Sequence, residues 1–124
     1  MTADELGARL VAAIEAGALE VLRDGIYAPG AVIWHNFDGA EQTVEDNLRT
    51  LGWVVRHVAG LRYDDVRHQP TPTGFVQQHV LRGTAPGGEE LAVPACLVVT
   101  VEADRITRID EYLDSAAVAA LRGS

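Results

Sequence analysis

Three polar side chains stand in stretches that otherwise read as buried strand: Asn36 in A-V-I-W-H-N-F, Gln78 in F-V-Q-Q-H-V-L and Glu111 in I-T-R-I-D-E-Y-L-D. A polar group on the inner face of a sheet costs free energy unless it meets a partner, water or a ligand. Converging from separate strands, these three would line a wet pocket for a small molecule. Glu111 supplies a carboxylate that can act as general acid or base, and the Asn36 and Gln78 amides can orient a substrate or a water. The alternative is a structural carboxylate hydrogen-bonded to Gln78, Asn36 or a helix side chain.

Strand alternation extends the set. With Asn36 inward, Trp34 is inward too, as a large apolar wall with an indole N–H to offer, and His35 faces out. On the third strand Val76, Gln78 and Val80 share the inner face, and Gln77 and His79 take the outer one. On the last strand Ile109, Glu111 and Leu113 face in, opposite Arg108, Asp110 and Tyr112. Leu97, beside Cys96, adds an apolar wall. A shift of one residue would invert any of these assignments. An outer face carrying Tyr112, Gln77 and His79 suits an isologous homodimer interface.

The elements that must position these groups are legible from periodicity. Thr2-Ala3-Asp4-Glu5 has the form of a capping box. Leu6, Leu10, Ile14, Ala18 and Leu22 follow at intervals of four, which predicts a long amphipathic helix, weakened at Gly17 and ended by Gly25. Pro29-Gly30 reads as a turn before a strand over 31–37. A second helix starts at the N-cap Thr43 and carries Val44, Leu48, Leu51, Val55 and Val58, with Arg56 and His57 in its last turn and Gly60 as its C′ residue. After Gly60 the period becomes two. Strands are predicted over 61–69, 75–84, 91–102 and 105–113, separated by 70–74, by Pro86-Gly87-Gly88 and by a tight hairpin at Ala103-Asp104. Ser115 caps a short alanine-rich helix ending at Gly123. Helices followed by a strand meander make an α+β fold, one domain over 1–124.

Bulk composition narrows the function classes. The chain has 124 residues, 48% hydrophobic and 23% charged, which is globular in character. A net charge of −8 without any basic stripe argues against nucleic acid and against an anionic membrane surface. No run approaches the roughly 18 apolar residues of a membrane span. The acidic opening M-T-A-D-E-L-G-A-R-L lacks the basic and apolar regions of a secretory leader, so a cytoplasmic location is expected. Cys96 is the single cysteine, no His/Asp/Glu cluster has metal-ligand spacing and no glycine-rich phosphate loop follows a strand, so neither metal nor nucleotide cofactor is expected.

The element order, with W-H-N-F-D-G on the first strand and R-I-T-R-I-D-E-Y-L-D on the last, resembles the NTF2-like superfamily and within it the SnoaL-like branch. The resemblance spans nearly the whole chain. It implies a conical barrel in which a strongly curved, mostly antiparallel sheet wraps around N-terminal helices, with an internal pocket open at one end and homodimers formed through the outer sheet face. It also implies a small, largely apolar organic ligand, bound by a cofactor-independent isomerase, cyclase or hydrolase, or else by a binding or dimerisation module of the same fold.

Asn36 occupies the position of the aspartate base of ketosteroid isomerase-like members, and Leu97 that of their oxyanion-hole acid. Neither can do that work. Trp34, Asn36 and Glu111 match the tyrosine, asparagine and aspartate that hold water in limonene-epoxide-hydrolase-like members, but the arginine–aspartate pair of those enzymes falls near Gln78 and Val80. SnoaL-like cyclases use an aspartate and a histidine. Here Glu111 is the carboxylate on offer, with His79 or His35 as its partner.

Overall fold

The Thr2 hydroxyl accepts from the Glu5 N–H at 3.1 Å while the Glu5 carboxylate accepts from the Thr2 N–H, so the predicted capping box starts helix α1, Ala3–Glu15. The computed structural model describes residues 1–121. Leu6, Leu10, Ala13 and Ile14 form the buried stripe of α1. The periodic pattern beyond it is interrupted as expected: Gly17 takes φ +67°, a short helix α2 (Leu19–Val21) follows, and a π-helical turn over Leu22–Ile26 buries Leu22 and Ile26.

Strand β1, Tyr27–His35, starts earlier than its sequence suggests. Pro29-Gly30 is no turn but an exposed, irregular stretch inside the strand, where the pairing with the neighbouring strand shifts between Tyr27 and Val32. A missing N–H is tolerated at such an irregularity. A two-residue strand β2, Glu41–Gln42, was not foreseen. It precedes helix α3, Val44–His57, which opens on a second capping box between Thr43 and Asp46. The last four strands are β3 (Ala59–Thr71), β4 (Gly74–Thr84), β5 (Glu90–Glu102) and β6 (Arg105–Leu113). Ala103 and Asp104 both adopt positive φ in the hairpin between β5 and β6. Helix α4, Ser115–Leu121, closes the described chain, and the predicted helix end at Gly123 lies outside the described residues.

The six strands form one sheet in the order β2-β1-β6-β5-β4-β3, in which β1 and β6 run parallel and every other neighbour is antiparallel. Helices packed on one face of this curled sheet give the α+β architecture expected from the sequence. The larger apolar cluster joins α1 and the π-turn to Tyr27, Ile33, Phe75, Leu97, Val99, Ile106 and Ile109. A smaller one, around Val58, Leu91 and Val93, sits beneath α4. A cavity opens between the two, because side chains from both form its walls.

Candidate active site

The sheet does not present all its strands in the expected phase. On β1 the inner side chains are Ala31, Ile33 and His35, and on β4 they are Phe75, Gln77 and His79, all buried. Trp34, Val76, Gln78 and Val80 therefore lie on the outer face, one residue out of register with the sequence reading. Both phases of β4 alternate equally well, and β-branched Val76 and Val80 favoured the wrong one. The fold instead buries the larger Phe75 and satisfies Gln77 and His79 with each other. Asn36 lies beyond the end of β1 and is exposed. Its N–H donates to the Glu111 carbonyl and its Oδ1 accepts from the Leu113 N–H at 2.9 Å, so its amide fastens β1 to β6 and does not reach the cavity. Leu97 and Ile109 share the inner face as core residues, while Glu111 and Leu113 line the cavity.

The cavity measures about 430 Å³. Its apolar walls include Ile14, Phe37, Leu51, Trp53, Val54 and Leu81, and Val118 and Leu121 of α4 border it as well. Its polar groups are few: His35, Glu111, Asn47, Thr50 and Tyr63. That composition, mostly apolar with a small set of placed polar groups, is what small-molecule sites share.

His35 and Glu111 are register partners on the parallel strands β1 and β6, so both side chains leave the sheet on the same side. His35 Nε2 lies 2.9 Å from Glu111 Oε1. Both line the cavity; the histidine side chain is 8% exposed and the carboxylate 23%, so Glu111 is the more open member of the pair. A second network fixes α3 against β1. The Tyr27 hydroxyl donates to Asn47 Oδ1 at 2.8 Å, the Asn47 amide donates to Gln42 Oε1, and the Gln42 amide donates to Thr50 Oγ1 at 3.1 Å. Burial, and then the Glu111 charge, push the Tyr27 phenol well above its ordinary range. The same two causes, in the same order, act on the phenol of Tyr63.

A third network runs from α1 across β3 to β4. Asp4 Oδ1 is 3.2 Å from His68 Nδ1, His68 Nε2 is 2.8 Å from Gln77 Oε1, and Gln77 Nε2 is 3.1 Å from His79 Nδ1. The His79 ring packs on the ring of Tyr63, with centroids 4.6 Å apart. Burial holds the His79 imidazole below its ordinary value, an effect that the charge of Glu111 opposes and that of His68 adds to.

The sequence reading placed His35 and His79 outside and did not single out Asn47 or Tyr63. A signal existed for Asn47, since it falls three residues after Val44 and four before Leu51, on the apolar stripe of its helix. Tyr63 alternates with Leu61. Among the described residues no group of three His, Cys, Asp or Glu side chains is arranged to hold a metal ion, and no helix is long and apolar enough to cross a membrane.

The helices and the curled sheet together have the NTF2-like α+β cone fold. Among solved structures the chain is similar to IdmH of Streptomyces antibioticus, a candidate polyketide cyclase, with 21% identity over the full length of both chains and a TM-score of 0.83. A candidate polyketide cyclase of Pseudomonas putida has 17% identity, 98% coverage of each chain and a TM-score of 0.82. A protein of Catenulispora acidiphila with a ketosteroid isomerase-like fold, solved in complex with trimethylamine, has 18% identity and a TM-score of 0.77, with 96% of this chain and 92% of that one covered. No protein-family model matches the sequence, and no curated protein matches it.

Proposed function

We propose that this protein binds a small, largely apolar organic carbonyl compound in its cavity and acts on it by acid/base chemistry, as a cyclase or isomerase of the SnoaL-like type. The observation that carries this reading is the His35–Glu111 pair, 2.9 Å apart, with the carboxylate turned to an apolar cavity. Glu111 takes a proton from a carbon next to a carbonyl, and the C–H electrons move to the carbonyl oxygen as an enolate. The Tyr63 phenol, which burial keeps protonated, is the donor suited to that oxygen. In a ring closure the enolate carbon attacks a second carbonyl of the same molecule, whose oxygen then receives the proton from Glu111, and the carboxylate is regenerated. His35 holds the carboxylate in place throughout. The polyketide-cyclase candidates among the structural neighbours support the substrate class.

A second reading is a binding protein without turnover. Phe37, Trp53 and Tyr63 set aromatic rings around the cavity that Glu111 enters, which suits an organic ammonium ion. The trimethylamine complex of the Catenulispora protein favours it. A homodimer through the outer sheet face belongs to either reading. Trp34 and Tyr112 meet there edge to face at 5.3 Å, while Tyr112 and Val98 stay 46% and 40% exposed.

The test is deuterium exchange from solvent into an aryl 1,3-diketone, followed by NMR in the wild type and in Glu111→Gln. The expected result is catalysed exchange that falls by about 10²- to 10⁴-fold in the variant, the range for loss of a general base. Exchange at the same rate in both proteins overturns the reading. Absence of exchange, with a rise in melting temperature on adding tetramethylammonium that Glu111→Gln abolishes, replaces it with the second.

A further inference from the structure

Gly7 lies in the interior of α1, where a glycine is unfavourable, and a Cβ built on it would stand 2.1 Å from His68 Nε2. The glycine thus makes room for an imidazole between helix and sheet. That ring, 8% exposed, is gripped by Asp4 at Nδ1, by Gln77 at Nε2 and edge-on by Phe75 at 5.7 Å between centroids. Gln77 is fully buried, and both ends of its amide are used.

The protons in this chain follow from the partners. A carboxylate at Nδ1 and a carbonyl oxygen at Nε2 both accept, so His68 satisfies the two only as the doubly protonated ring. The Gln77 amide then points its NH₂ at His79 Nδ1, which must accept. His79, neutral, keeps its proton on Nε2, the one nitrogen it has left for Tyr63, Glu111 or a ligand.

We infer that His68 is a positioning residue that decides which nitrogen of His79 carries the proton. When His68 gives one proton to solvent, Nδ1–H stays on Asp4 and Nε2 becomes an acceptor. The Gln77 amide turns over so that its NH₂ donates to His68, and its oxygen now faces His79 Nδ1. The single proton of His79 moves through solvent from Nε2 to Nδ1, and its free nitrogen changes from donor to acceptor. The charged or titratable groups that bear on the pair are Asp4 from α1, Tyr63 from β3, His68 and His79 themselves, and Glu111 from β6. A buried donor thereby becomes a buried base in response to one proton near the surface, where the Asp4 side chain is 83% exposed.

Its use in proton transfer rests on the function proposed above, but the tautomer is read without turnover. Long-range ¹H–¹⁵N correlation of the histidine rings in the full chain, across a pH series, reports it directly. The expected result is an Nε2–H tautomer of His79 while His68 is charged and an Nδ1–H tautomer once His68 is neutral. In Gln77→Glu, whose carboxylate only accepts, the Nε2–H form is lost at every pH. A His79 tautomer that does not follow the charge of His68, or an Nε2–H form that persists in Gln77→Glu, overturns the inference whatever the activity of the protein.

Discussion

His35 and Glu111 stand opposite one another on two parallel neighbouring strands, and their side chains meet at 2.9 Å between Nε2 and Oε1. Parallel pairing at this one junction is what makes the encounter possible. It sets the C-terminal ends of β1 and β6 side by side at the cavity, although the two residues are far apart in the chain.

Replacing His35 tests the pair from its other side. His35→Gln keeps an N–H donor and should reduce exchange activity by about tenfold, the cost of one weakened hydrogen bond. His35→Leu leaves a half-buried carboxylate without its partner and should also cost roughly 1–3 kcal/mol of stability. Urea unfolding beside the exchange assay checks both, and an unchanged rate in His35→Leu would sink the role given to the pair.

Gly7→Ala should destabilise the protein, against the rule for a helix interior, where that change gains about 1 kcal/mol. The added methyl would occupy the position of the His68 ring. The expected signs are a lower denaturation midpoint and, by NMR, loss of the Asp4–His68–Gln77 register. A midpoint raised by the usual helix gain would mean that His68 moves aside at no cost.

The depressed imidazole of His79 makes stability depend on pH in a stated direction. In the window below its ordinary value of 6.5 the unfolded chain binds a proton that the folded chain refuses. The contribution of His79 is therefore complete above pH 6.5 and is lost progressively as the pH falls through that window toward the folded value. His79→Phe keeps a ring against Tyr63 and removes the titration. Melting temperatures between pH 7.5 and 5 should fall less steeply in this variant, and parallel curves would count against the assignment.

Trp34→Glu places a charge on the outer sheet face, beside Tyr112 and opposite Asp110. If that face joins two copies, the variant should sediment as a monomer at concentrations where the wild type is a dimer, with the cavity ligand still bound. A wild type that sediments as a monomer at high concentration refutes the interface.

Much of the fold was legible in the sequence because its signals are local. Thr2 with Glu5 and Thr43 with Asp46 are hydrogen-bonding units of four residues, and each starts a helix wherever the rest of the chain goes. The hairpin at Ala103-Asp104 and the change of period after Gly60 are local in the same sense. On β6 the inner face was read correctly, because Ile109 and Leu113 flank Glu111 and their burial drags the carboxylate inward. On β1 and β4 each phase holds both polar and apolar side chains, so hydrophobicity alone does not choose between them. What chose was partnership. His35 is buried because Glu111 waits on the next strand, and Gln77 and His79 are buried because each satisfies the other and His68 satisfies Gln77. The cost of burying a polar group is decided by the atom it meets, and which atoms meet across strands is fixed only when the sheet closes.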